Sequence, residues 1–125
     1  MSDGATFEQR QAYDAVRSFL REFGEEAGSS DILLLWNCMK LNAAGHSADL
    51  AVLDEWLACW GSAERKDAVD VLAATRHFVC VELWWSLEDA VIELFRALAH
   101  IEAGRNNAHG ARWNRALAGT AADRR

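Results

Sequence analysis

Residues 82–93 read ELWWSLEDAVIE, in which four carboxylates, Glu82, Glu88, Asp89 and Glu93, bracket the adjacent tryptophans Trp84 and Trp85. Carboxylates at this density can hold a metal, exchange protons or attract a basic surface, and each use needs different company. A di-iron helical site requires inward-facing glutamates together with Glu-x-x-His motifs. None of His46, His77, His100 and His109 has a glutamate three residues before it, so that use fails on spacing. For zinc, His77 and Cys80 share a helix face, and Cys38 and Cys59 could reach them from other helices. Yet no Cys-x-x-Cys pair occurs, and each cysteine sits among apolar residues, where an unligated thiol is the ordinary occupant. No Gly-x-Ser-x-Gly elbow and no glycine-rich phosphate loop is present. No catalytic residue, metal or cofactor is expected, and the chain reads as a non-enzyme.

The tryptophans favour docking. Neighbours on a helix point about 100° apart, so Trp84 and Trp85 cannot both aim into one core seam. A partly exposed tryptophan ringed by acids has the make-up of a hot spot for a basic protein. The expected partner-binding set is therefore Glu82, Trp84, Trp85, Glu88, Asp89 and Glu93. A competing acidic face is offered by Glu22, Glu25, Glu26 and Asp31.

Composition agrees. The formal charge is −6, and it is uneven: residues 104–125 hold five arginines against Asp123, a charge of +4, which leaves −10 on the remainder. A body that acidic repels nucleic acid and anionic membranes and attracts basic partners. The absence of proline, with 51% apolar residues, favours long helices and a sizeable core. The polar start, MSDGATFEQR, has no signal-peptide pattern, the apolar runs ILLLW and FVCV are far too short to span a bilayer, and three cysteines suit reduced thiols. A cytoplasmic protein without membrane contact is expected.

The elements follow from periodicity. Thr6 and Gln9 form a capping-box pattern ahead of the stripe Ala12, Tyr13, Val16, Phe19, Leu20 and Phe23, with Gly24 as the stop and GEEAGSS as a linker. A second helix is expected over 31–44 behind Ser30, apolar nearly all round. A third covers 48–60 behind Ser47, with the stripe Leu50, Leu53, Leu57 and Trp60. The segment 63–103 would be about 60 Å long as one helix, too long for this domain. Ser86 followed by Asp89 offers a break, giving 63–84 and 87–103, with Leu87, Val91, Leu94, Leu98 and Ile101 facing inward. The expected fold is all-α: a single-domain bundle of about five helices over 1–104, with a basic mobile tail or short terminal helix over 105–125.

The pairs Glu22/Glu25 with Glu26, and Asp67/Asp70, resemble the magnesium-holding Glu-x-x-Glu and Glu-x-x-Asp pairs of MazG-type all-α nucleotide pyrophosphohydrolases. Here the first lies at a helix end and about 40 residues separate the two, whereas that family places both mid-helix and closer. In kind, being small, acidic and aromatic-bearing without catalytic motifs, the chain resembles bacterial immunity proteins and antitoxins. That resemblance implies a protein that caps a basic toxin, often a nuclease, with no direct nucleic-acid binding by the acidic body. The alternatives are a metal-dependent all-α hydrolase using helix-borne carboxylates, and an adaptor subunit docking through its arginine-rich end. Self-association through an apolar helix face stays open.

Overall fold

The stripe from Ala12 to Phe23 is the buried face of α1 (Gln9–Ala27). The computed structural model describes residues 6–104 and 108–123 and is all-α, with one small ribbon. In that ribbon β1 (Thr6–Glu8) pairs antiparallel with β2 (Arg65–Asp67), Thr6 opposite Asp67. Thr6 therefore cannot cap α1. The capping box sits two residues later, where the Glu8 N–H donates to Gln11 Oε1 at 3.0 Å.

Gly24 does not end α1. The helix runs three residues further and closes on Gly28 (φ 66°), with the Ser29 N–H reaching back to the Gly24 carbonyl at 2.9 Å. Gly24 is instead a point of close approach: a Cβ there would lie 3.0 Å from the Leu33 side chain of α2 (Ser30–Cys38). That second helix is six residues shorter at its end than periodicity suggested. Side chains of α1 take its terminal carbonyls, Tyr13 Oη donating to Met39 O and Arg17 Nε to Trp36 O. The chain then turns around Asn42, whose Oδ1 accepts from Ala44 N and His46 N.

α3 (Leu50–Trp60) begins later than expected because Asp49 is its N-cap. Ser47 is buried, its hydroxyl donating to Asp49 O and accepting from Leu53 N. The buried face is Val52, Trp56 and Trp60, so Leu50 and Leu57 of the anticipated stripe are exposed. Trp56 decides this orientation: it packs against Tyr13 and edge-on to Phe78, and its indole donates to Gln9 Oε1. α4 (Ala68–Leu83) starts at Asp67, since β2 occupies the preceding residues. α5 (Asp89–Glu102) buries Val91, Leu94 and Leu98, but Leu87 lies before the helix and is 95% exposed.

Among the described residues there are six helices rather than about five. The sixth, α6 (Ala108–Asp123), is the segment anticipated as a mobile tail or short terminal helix, and it joins the main core. Trp113 is 2% exposed and stands edge-on to Phe19, ring centroids 5.5 Å apart. Arg112 is buried, stacks over Phe23 and donates to Glu26. Core and tail are thus one packed unit around α1, and Arg124 and Arg125 lie outside the described residues. None of the described helices is long and apolar enough to cross a membrane.

Removing the Trp113 ring leaves a cavity against α1. Trp113→Ala is expected to lower the free energy of urea unfolding by about 3–5 kcal/mol, a large share of what a domain this size holds.

Candidate functional site

α2, α3 and the end of α4 enclose a pocket of about 170 Å³. Its acidic lining is Asp31, Asp49 and Glu82; Leu34, Trp85 and Cys38 supply the rest of the rim and wall. Trp85 is fixed by a hydrogen bond from its Nε1 to the Glu82 main-chain carbonyl at 2.7 Å, and it remains 47% exposed. Trp84, the C-cap residue of α4, is 77% exposed, and Leu34 is 53% exposed. With Leu87 they leave four large apolar side chains open to solvent on α2 and the α4–α5 connection, in a fold that buries Trp56, Trp60 and Trp113.

Glu82 is half-buried, and among the described residues its Oε2 is enclosed without a hydrogen-bond partner. Burial, then hydrogen bonding to Glu55, then the charges of Glu55 and Asp49 push its carboxyl from 4.5 to about 7. Near neutral pH it therefore exchanges a proton in a pocket that Asp31 and Asp49 also line. Burial also raises the Cys38 thiol, with Asp49 and Glu82 adding to the shift, so this cysteine is not an activated nucleophile.

Glu88 does not belong to an open acidic surface. It is the N-cap residue of α5, but its carboxylate serves α2: Oε1 accepts from Ser29 Oγ and Asp31 N, and Oε2 from Ser30 Oγ at 2.8 Å. In return Ser86 Oγ donates to Asp31 Oδ2 at 2.6 Å. A negative group at a helix N-terminus is favourable in itself, and the serine hydroxyls, Ser29 first, hold this carboxyl below its ordinary range. The clasp sets the turn that presents Trp84, Trp85 and Leu87. Asp89 is exposed in the first turn of α5, and Glu93 is exposed and paired with Arg96 at 3.0 Å. Of the six anticipated residues, the structure brings Glu82 and Trp85 together at the pocket, leaves Trp84, Asp89 and Glu93 at the surface, and turns Glu88 inward to α2.

The competing face is internally paired. Glu22 and Glu26 meet Arg112, with Glu22 also 4.0 Å from Arg115, and Glu25 meets Arg21. Asp31 lines the pocket instead. Asp67 caps α4 by accepting from Asp70 N. The cysteines do not converge: Cys38 lines the pocket, Cys59 lies in a shallow crevice with His77, and Cys80 is exposed beside Phe95. Among the described residues no group of three or more His, Cys, Asp or Glu is placed to hold a metal ion. Asp49, Glu55 and Leu34 escaped the sequence reading. Leu34 had a usable signal, since an apolar run as continuous as ILLLW cannot all face one core seam.

The two glutamates have opposite and separable pH signatures. For Glu82, with its raised value, both states carry the proton below about pH 4.5. Between there and about 7 the unfolded chain ionises first and stability falls, and above that the penalty is constant. Glu82→Gln is expected to flatten this fall and to raise the melting temperature at pH 8. For Glu88, with its lowered value, the stabilisation is present at neutral pH and is lost as acid protonates it. Glu88→Ala is expected to lower the melting temperature at pH 7, with the difference shrinking towards pH 3. A Ser29→Ala/Glu88→Ala double-mutant cycle in urea unfolding is expected to be non-additive, because the two side chains share one hydrogen bond.

Neither a protein-family model, nor a curated protein, nor a solved structure matches this chain.

Proposed function

We propose that this protein binds a basic protein partner through the surface formed by Trp84, Trp85, Leu87 and Leu34, with the pocket between α2, α3 and α4 receiving a lysine or arginine side chain. The observation that carries the reading is the pairing of exposed aromatic anchors with a pocket walled by Asp31, Asp49 and Glu82. An aliphatic stem would pack on Trp85 and Leu34 while its cationic head meets the carboxylates. Tryptophan anchors supply binding energy, and surrounding acids supply steering and selectivity for a basic surface.

The partner class that fits best is a bacterial toxin domain of the nuclease type, neutralised in the cytoplasm by this chain as its immunity protein or antitoxin. A basic phosphate-binding surface is what such a domain presents, and the net charge of −6 favours rapid association with it. Mutual pairing of Glu22, Glu25 and Glu26 with arginines of α1 and α6 favours the tryptophan face over the α1 face.

Immobilised protein is expected to capture a stoichiometric basic protein from a lysate of the source organism, eluting in a salt gradient. Trp85→Ala/Leu87→Ser should lose it, and Glu25→Ala should keep it. Inhibition of nuclease activity in the captured protein would establish the immunity role. Retention by Trp85→Ala/Leu87→Ser would overturn the surface. Because a cation in the pocket displaces the Glu82 proton, affinity is expected to rise as pH goes from about 6 to 8, and Glu82→Gln should remove that rise.

A further inference from the structure

A second cavity, larger than the acidic pocket, lies elsewhere. A groove of about 460 Å³ runs between α1, the end of α2 and α6, and it shares no lining residue with the acidic pocket. Its walls carry three guanidinium groups, Arg17, Arg21 and Arg115, and two carboxylates, Asp14 and Glu22, with the Trp36 ring beneath Arg17 and Arg21 and Gly119 on the α6 side. We infer that this groove binds the phosphate group of a small phosphate monoester, with Arg17 as the principal contact.

Arg17 is held ready for such a role. Its Nε donates to Trp36 O at 3.2 Å and its guanidinium lies 4.9 Å from the Trp36 ring centroid, which fixes the plane of the fork. Among the described residues no carboxylate pairs with it. Arg21 covers the same ring from 5.4 Å and meets Glu25 at 3.4 Å. Arg115 has only a long contact, 4.0 Å, to Glu22, whose charge is shared with Arg112. Asp14, which also lines the groove, pairs with Arg10 at 3.8 Å. Cationic charge therefore exceeds the local carboxylate charge in one concavity of an acidic protein.

The ligand chemistry follows from the donors. A guanidinium presents its N–H groups in a rigid fork that matches phosphate oxygens, and a dianion with three terminal oxygens can use several forks at once. A single carboxylate would leave most of these donors idle. The volume falls in the range of small-molecule sites, and the Ala116 and Gly119 surface of α6 gives an apolar wall for the organic part of an ester.

The test is a titration with inorganic phosphate, phenyl phosphate and phenol at constant ionic strength, followed by NMR of the tryptophan indole N–H groups. Saturable binding of inorganic phosphate is expected with a dissociation constant of about 1 mM, and tighter for phenyl phosphate. Arg17→Gln should weaken both at least tenfold. Gly119→Phe should abolish both; a Cβ at 119 meets no atom within 4 Å, so the substitution fills the groove without disturbing the helix. If Arg17→Gln loosens the end of α2, seen as a lower urea midpoint, Gly119→Phe decides alone. No saturable response to inorganic phosphate would overturn the site, as would equal binding by wild type and Gly119→Phe. A phenyl phosphate response matched by phenol would do the same.

Discussion

The turn between α4 and α5 is held by an exchange of polar bonds with the first residues of α2. Glu88 occupies the donor-rich N-terminus of that helix, and Ser86 returns a hydroxyl to Asp31. The end of a nine-residue helix has little stability of its own. A carboxylate delivered from about 57 residues away gives it the anion that its backbone dipoles favour. The same exchange fixes where the chain leaves α4. Trp84 and Leu87 face water, and Trp85 closes one side of a pocket, because the residues between them are already committed to α2.

Around this clasp the charges of the protein divide into two sets. On α1 and α6 the acids are internally compensated: Arg112, nearly buried, draws in Glu22 and Glu26, and Arg21 takes Glu25. Exposed pairs of this sort contribute little to stability individually, but the buried guanidinium would be costly without its partners. On α2, α3 and α4 the acids face one another. Burial first, then hydrogen bonding to Glu55 and the charges of Glu55 and Asp49, raise the Glu82 carboxyl to about 7. Compensated acids suit a structural seam; mutually repelling ones suit a surface that gains by meeting a cation.

Much of the fold was legible in the sequence. The helical class, the α1 stripe and the break near Ser86 follow from spacing that any amphipathic helix must show. What could not be read were events decided by distant partners. Gly24 resembles a stop signal, but α2 needs its missing Cβ for close packing. Thr6 resembles a cap until a three-residue strand claims it, and strands that short carry no alternation. α2 ends at Cys38 because Tyr13 and Arg17 take its carbonyls, a cause written 20 or so residues earlier in the chain. At the candidate site, the prominence of Trp84 and Trp85 was visible, whereas the inward use of Glu88 and the approach of Asp49 and Glu55 required the tertiary fold.

The placement of the tryptophans has an optical consequence. Trp56, Trp60 and Trp113 are enclosed, whereas Trp84 and Trp85 are open to solvent. Emission from this protein is thus a sum of a blue-shifted component from the interior, a red-shifted one from the turn after α4, and a third from Trp36, half-buried beside Arg17 and Arg21. A neutral quencher such as acrylamide reaches the second component first, while iodide is held back by the surrounding acids. One cuvette can therefore follow the integrity of the core and the occupancy of the exposed turn as separate signals, with no label attached.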